Sequence, residues 1–511
     1  HSAFLCPSDG PCLSAGMGEL SCSPADDALS AKQMVVRLGC VLFNVLSGLV
    51  NGYDICITTG ILDFMDRDLA LCHNDAEIST CFLKEAVLSI VGIGALMSRL
   101  CCTGLADRFG RRAAIFSADV LIVVSVALQS STRSTPGFFA ARFLVGMGMG
   151  LAFVVTPTYL CEIAARRNRG LFICLNEVAV CVGCLLGLHI PARDNTDAAW
   201  QWQSVVAIAA VPAGLQLIFV LALPESPRWY ALQGDVDALD KSIQSLGLHS
   251  ETLELRSLAC KGEHIDYCAG ESHCRRQMHA WAQFRKPFLI SLGLASFTAS
   301  VGSLAVQAYA YDLLKVCSVE DPASILPSVG WMKLAGALLA MSASDSERVG
   351  RRRLVMGGSM LCTLCDSILA IHLAFPSRVP EQLPAACVIL RIFAWTAGYG
   401  GVQFLVISEL LPSAVRSKFL GQCQAVASII DIVIFQVFES LLFANAVATF
   451  AMFGAINLSS FFFAAAFLPD LRGLALEASE NGQLGPHGPR AYKSFERSEL
   501  EPTIVGAGQV D

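Results

Sequence analysis

The sequence predicts an all-α membrane protein with twelve transmembrane helices. Three observations predict it. Apolar residues make up 54% of the 511 residues and charged residues only 15%, against about 25% charged in an ordinary soluble chain. Mean hydropathy is +0.56. Apolar runs long enough to span a bilayer, which takes about 20 residues, recur as six, a polar interval, and six more. This composition excludes disorder over most of the length and argues against a soluble enzyme. A net charge of −7 and a pI near 5.8 give no general attraction to nucleic acid.

The elements follow in order. Residues 1–33 form a polar leading segment without a basic region ahead of an apolar run, so no signal peptide is expected. The chain opens on His1 rather than Met, which leaves the completeness of its N-terminus open. Runs at 34–61, 83–106, 113–131, 137–163, 170–191 and 200–223 make a first half, 34–223. A polar stretch covers 224–286. Runs at 287–314, 323–343, 353–375, 383–411, 418–442 and 446–468 make a second half, 287–468. Rich in Leu, Ala, Val, Gly and Phe, they read as helices rather than barrel strands. The tail, 469–511, mixes Gly, Pro and charge, reads as flexible and has no lipidation ending.

There are 21 cysteines. Most, such as Cys174, Cys181, Cys184, Cys362 and Cys365, sit in apolar runs and act there as small hydrophobes. Cys72 and Cys81 share one polar loop, where they either pair in an oxidising space or stay free thiols. Neither the Cys nor the His residues show metal spacing, and no phosphate-binding Gly-Lys-Ser/Thr loop is present. No cofactor is expected. The sequon at Asn457 lies within the twelfth run and is expected to be unused.

Basic residues set the orientation. Arg108, Arg111 and Arg112 follow the second run, and Arg166, Arg167 and Arg169 the fourth. Arg348, Arg351, Arg352 and Arg353 follow the eighth, and Arg416 and Lys418 the tenth. These connections share one side, assigned to the cytoplasm. The first connection on the other side is acidic, with Asp63, Asp66, Asp68, Asp75 and Glu77. Both termini and the central loop are therefore expected in the cytoplasm.

The same charges write a repeat. DRFGRR at 107–112 recurs as ERVGRR at 347–352, 240 residues on. Glu162 stands seven residues before Arg169, and Glu409 seven before Arg416. Arg142 and Arg391 open the fourth and tenth runs, 249 residues apart. Coincidences at nearly one period indicate two parallel halves. Acidic and basic groups at helix ends form charge-assisted pairs between neighbours. Pairs that form in one conformation only bias an equilibrium between two states. Positive-inside anchoring alone would explain the Arg residues but not the repeated carboxylates.

These residues resemble the major facilitator superfamily, and within it the sugar porter family. GLADRFGRR at 104–112 resembles the signature between spans 2 and 3, with Thr103 where Gly is usual, and 347–352 its second copy. PTYLCEIA at 157–164 with Arg169 and Gly170 resembles the span 4 signature. PESPRW at 224–229, SELLP at 408–412 with Arg416, and NGYD at 51–54 resemble three further motifs. The match covers about residues 35–470. The resemblance implies the major facilitator fold: two six-helix bundles, a central site, alternating access, and short cytoplasmic helices within 224–286. It implies a network of conformational charges at Asp107, Arg108, Arg111, Arg112, Glu162, Arg169, Glu225, Arg228, Glu347, Arg348, Arg351, Arg352, Glu409 and Arg416. It also implies that Asp54 carries a proton, with Arg142 as its partner. A neighbouring Arg lowers a carboxyl pKa and desolvation raises it, so a change of surroundings can load and unload the proton.

The substrate positions depart from the family pattern. Asn176-Glu177 stands where Asn-Gln is usual, and Cys184 where a second Gln is usual. The Gln-Gln and Asn of span 7 are not found; the nearest stretch is 295–301. GGVQF at 400–404, with Gln403 and Phe404, replaces a Pro-containing motif ending in Trp. Lys333 and Asp431 align with Asn positions. Neutral amides suit sugar hydroxyls, whereas Glu177, Lys333 and Asp431 suit a charged or zwitterionic solute. The alternatives are that these charges pair with one another or that Lys333 snorkels to the interface. Asp119 and Asp366 are expected in packing or interfacial roles.

The expected protein is a secondary active transporter, a proton-coupled symporter of a sugar or sugar-like polyol, and not an enzyme. Its partners are a small solute, protons and the bilayer, and it is expected to be a monomer in the plasma membrane, with an organelle membrane as the alternative. The rival readings are a carrier of a charged or zwitterionic solute and a transport-inactive solute-sensing receptor.

Overall fold

The structure, a computed structural model, describes residues 30–469 apart from 70–81, 102, 165–168, 190–201, 254, 257–258, 260–272, 320, 345, 347–348, 376–379, 381 and 412–415. Cys72, Cys81, Asp75, Glu77, Arg166, Arg167, Glu347, Arg348, the side chains of Asp63, Asp66 and Arg169, and residues 1–29 and 470–511 lie outside what it describes.

The first half holds α1 (Ala31–Leu69), α2 (Phe82–Cys101), the short α3 (Thr103–Phe109), α4 (Arg111–Ser131), α5 (Thr135–Ile163) and α6 (Arg169–His189). Its sixth crossing is split into α7 (Trp202–Ala207) and α8 (Ala210–Phe219). Two short helices follow, α9 (Pro227–Gln233) and α10 (Val236–Leu246). Ser226 and Asp235 cap their N-termini by accepting from the Trp229 and Ala238 N–H groups. The second half holds α11 (His273–Ser300), α12 (Ser303–Ala308), α13 (Ala310–Val316), α14 (Pro322–Ala343), α15 (Gly350–Ala374) and α16 (Gln382–Trp395). A π turn, Thr396–Gly400, leads to α17 (Gln403–Leu410), and α18 (Arg416–Phe467) closes the chain.

Among the described residues, ten stretches are long and apolar enough to cross a membrane. One of them, Lys418–Phe467, holds two crossings, because Asn445 leaves helical geometry at φ −160° and ψ 85°. The charged helix α2 supplies the remaining crossing. The seventh run, read as one helix, is in fact broken, because Gly302 turns at φ +67°. The break frees backbone groups that no water can satisfy in a bilayer, and side chains from α16 take them up. Arg391 Nη2 donates to Val301 O at 2.5 Å, Arg391 Nη1 to Ser303 Oγ at 3.0 Å, and Trp395 Nε1 to Thr298 O at 3.3 Å. Arg391 Nε donates to Asp366 Oδ1 at 2.5 Å, whose other oxygen accepts from Asn457 Nδ2 at 2.8 Å. Asp366 is thus a fully buried counter-ion rather than an interfacial residue, and Asn457 is buried inside the same network. Asp119 is also buried, on α4.

Within the first half α1 packs on α6, and α5 on both α2 and α4; within the second, α15 and α11 pack on α18 and α14 on α16. The α1–α6 contact needs glycine. A Cβ on Gly52 would lie 1.9 Å from the Val180 carbonyl oxygen, and one on Gly183 2.0 Å from that of Leu49. Such close backbone approach is how helices gain packing where lipid removes the hydrophobic drive. The halves meet along two seams, α2 with the first part of α18, and α6 with α14.

Two expectations follow. Gly52→Val forces α1 from α6, an overpacking cost of about 1–3 kcal/mol or more, and size-exclusion profiles in detergent should lose the monodisperse peak. Asp366→Asn strands the Arg391 charge and should lower stability by about 3–5 kcal/mol, whereas Asp366→Leu with Arg391→Met should recover much of it. Equal thermal midpoints for the single and double variants would contradict this.

Candidate transport cavity and its charge network

A cavity of about 170 Å³ opens between the halves, walled by both. In its wall Arg142 of α5 meets Asp54 of α1: Nη1 donates to the two carboxylate oxygens at 2.9 and 3.1 Å. Both side chains are buried, at 2% and 5% exposure. Gln129 Oε1 accepts from the same Nη1 at 3.5 Å. A charged pair of this kind holds together in a low-dielectric site because each member is the other's solvent.

Glu177, Lys333, Gln403, Phe404 and Asp431 also line the cavity. Asn176 is buried and turned away from it, with its backbone and side-chain oxygens against Gly48 of α1. Cys184 lies behind the wall, fully buried. Lys333 Nζ donates to Gln307 Oε1 at 2.8 Å and to Cys184 Sγ at 3.3 Å. At 2% exposure Lys333 points inward and does not snorkel. Glu177 lies against the π turn: a Cβ on Gly400 would fall 3.0 Å from Glu177 Oε1.

Sequence reasoning missed Arg99, Asn51 and Trp395 in this wall, and Gln307 behind it. Arg99, in the last turn of α2, lines the cavity, with its guanidinium 5.8 Å from the Phe153 ring centroid. Its Nη1 donates to Gln424 O at 3.1 Å and to Ser428 Oγ across the seam. Gln307 sits in a segment whose helix breaks could not be seen from hydropathy. Trp395 and Asn51 complete the group.

The second constellation lies at the helix ends. Arg111 grips Glu162 with two bonds, Nε to Oε2 at 2.9 Å and Nη2 to Oε1 at 3.0 Å. Ser226 Oγ donates to Glu162 Oε2 at 2.5 Å. Asp107, half exposed, stands 3.5 Å from Arg111 Nη1. Glu225 accepts backbone N–H groups of Arg111 at 2.9 Å, Arg112 at 3.1 Å and Ser226 at 2.9 Å. The turn that offers the first two N–H groups needs Gly110, at φ +96°, where a Cβ would lie 2.3 Å from Glu225 Oε2. Arg112 side-chain nitrogens reach the Val220 and Leu221 carbonyls. Arg228 faces Glu251 at 3.7 Å. Arg108 is exposed and lies over the Phe109 ring. In the second half Arg351 contacts Glu409, Arg352 donates to Ala465 O, and Arg416 donates to Leu411 O at 3.2 and 3.1 Å. The two clusters therefore repeat in three dimensions as well as in sequence.

Two packed helical halves, a charged cavity between them and a matching charge clamp on each define a membrane carrier of the major facilitator fold. The chain belongs to the sugar (and other) transporter family, whose family model matches residues 40–482. It is 28% identical over 443 residues to a probable metabolite transport protein, CsbC, of Bacillus subtilis, covering 86% of this chain and 92% of that one. It is 25% identical to myo-inositol transporter 2 of Schizosaccharomyces pombe, over 84% of this chain and 79% of that one. Among solved structures it is similar to the proton:xylose symporter XylE bound to 6-bromo-6-deoxy-D-glucose, with a TM-score of 0.77 and 22% identity, covering 88% of this chain and 99% of that one. The chain is thus a multi-pass membrane transporter and not an enzyme.

Glu225 lies beyond the sixth crossing, and burial pushes its carboxyl up from the ordinary value while the backbone donors and Arg111 pull it down. A folded pKa above the unfolded one adds stability at low pH that is lost as pH rises through the folded value. The thermal midpoint in detergent should therefore carry a component that falls as pH rises above the usual Glu range. Glu225→Gln should lack that component, and parallel pH profiles for the two proteins would refute it.

Proposed function

We propose that this chain is a proton-coupled symporter that carries a sugar or sugar-like polyol by alternating access, with Asp54 as the proton carrier and Arg142 as its partner. The observation that carries the reading is the buried Asp54–Arg142 contact at 2.9 Å, open to the solute cavity. Charge within a membrane costs about 2.5–3.5 kcal/mol per residue on insertion scales, so an intramembrane carboxylate calls for a partner or a task. Asp54 has both. In general a neighbouring guanidinium favours an ionised carboxylate, and loss of water favours a protonated one. A cavity that opens to one side and then the other changes that balance, and the proton moves with it.

The clamps suit the gating step. Arg111–Glu162 and Arg351–Glu409 tie helix ends inside their own halves, so each half can move as a rigid body. A static receptor has no need of a titratable pair beside its ligand site. The basic connections support both termini and the central α9–α10 segment on the cytoplasmic side, and the two halves, 34–223 and 287–468, as the moving bundles.

Purified protein in liposomes with an imposed pH gradient tests the proposal. Asp54→Asn should abolish uphill accumulation, a loss of at least about tenfold in the plateau, while counterflow exchange of solute persists. Undiminished accumulation by Asp54→Asn removes Asp54 from the mechanism.

A further inference from the structure

Four ionisable side chains on the cavity wall belong neither to the Asp54–Arg142 pair nor to the clamps: Arg99, Glu177, Lys333 and Asp431. They are ordered by seam. Glu177 on α6 shares the cavity wall with Lys333 on α14 across one seam. Arg99 on α2 does so with Asp431 on α18 across the other. The sign is reversed between the seams, so each half presents one acid and one base. The first half offers Arg99 and Glu177, the second Lys333 and Asp431.

Neither couple closes into a direct ion pair. The cations spend their hydrogen bonds elsewhere, Lys333 on Gln307 and Cys184, and Arg99 on Gln424 and Ser428. Arg99 Nε has no hydrogen-bond partner among the described residues. The carboxylates are poorer still. Glu177 has only the Cys181 thiol, at 3.9 Å, and Asp431 has no hydrogen-bond donor among the described residues. A desolvated carboxylate needs donors, and a desolvated cation needs acceptors.

Alternating access makes the demand sharper. Opening one end draws the halves apart there, and each charge loses the partner across its seam. A neutral solute restores neither sign. A singly charged solute restores one and leaves the other. A solute bearing both signs satisfies either half alone, because each half holds both complements. Apolar side chains of Phe153, Phe404, Phe435 and Trp395 suit a carbon frame, and they share the wall with the neutral polar Asn51, Thr298, Gln403, Gln424 and Ser428.

We propose that the cavity selects a dipolar solute of sugar size, its cationic nitrogen held by Glu177 or Asp431 and its anionic oxygens by Arg99 or Lys333. This rests on the carrier reading above and replaces the neutral sugar or polyol named there with a dipolar solute.

Binding is measured first, on the purified full-length protein, by calorimetry and thermal stabilisation. The probes are zwitterions (alanine, glutamine, phenylalanine, glycine betaine), singly charged sugars (glucosamine, glucuronate) and neutral compounds (glucose, xylose, myo-inositol). At least one zwitterion should bind about tenfold or more tightly than any neutral probe. Glu177→Gln and Lys333→Gln should each weaken that zwitterion about tenfold, and more than they weaken any neutral probe. Neutral probes that bind as tightly as every zwitterion overturn the proposal, whatever the variants do. Gradient-driven uptake in liposomes then separates the two readings. Zwitterion binding without uptake keeps this inference and removes symport. Uptake of neutral sugars with no zwitterion bound keeps symport and removes this inference.

Discussion

Asp54 and Arg142 stand 2.9 Å apart in a place where neither could stand alone. Each charge carried into a bilayer costs about 2.5–3.5 kcal/mol on insertion scales, and more by other estimates. No water is at hand to share the load, so compensation must be internal. Much of the structure follows from that requirement. Arg391 is fully buried and finds Asp366, Ser303 and the Val301 carbonyl around it. Arg111 finds Glu162 and the Ala106 carbonyl. Where a helix breaks at Gly302, the side chains that repair the backbone come from a neighbouring helix. A broken helix in this setting is a polar site with its own wiring, and Arg391 and Asp366 are the wire.

Packing obeys a related rule. Lipid is as apolar as leucine, so helices gain little by hiding hydrophobic faces from it. The α1–α6 contact is built instead on Gly52 and Gly183, which let the backbones approach until carbonyls nearly touch Cα atoms. Large apolar residues such as Val211, Ile218 and Phe462 are left exposed on the outer faces. Such exposure would mark a docking surface in a soluble protein; here it is the face expected towards acyl chains.

The crossings were legible in the sequence because hydropathy integrates over about twenty residues and tolerates local irregularity. The same averaging hides irregularity. The run at 287–314 looks continuous, and nothing in its apolarity tells that Gly302 turns to positive φ. Gln307 was missed for the same reason, since its meeting with Lys333 depends on the turn after that break. Arg99 was missed for another: near a helix end, a cation that anchors and a cation that faces a cavity have the same sequence signature. Glu177, Lys333 and Asp431 were found through the register of family motifs, which carries the facing of a helix where periodicity within an all-apolar segment does not. Asp366 was expected in a packing or interfacial role, and its buried contact with Arg391 selects the packing one.

The two kinds of charge in the cavity differ in how they respond to motion. Asp54 and Arg142 both belong to the first half. In the proposed alternating-access cycle, rigid rocking of one half against the other would not pull them apart; it would change which aqueous space reaches them. Arg99, Glu177, Lys333 and Asp431 face partners in the opposite half, and the same rocking would change their partners directly. Proton binding can therefore respond to access, and solute binding to pairing. In the proposed cycle a proton bound at Asp54 would release Arg142 from its counter-ion, on a wall that Glu177 and Arg99 also line. The cation thus freed would shift the charge balance that the solute meets. Two ligands that bias one equilibrium through a shared wall are coupled, and the coupling is reciprocal. In the proposed cycle no contact between proton and solute is needed, because Arg142 both pairs with Asp54 and lines the cavity.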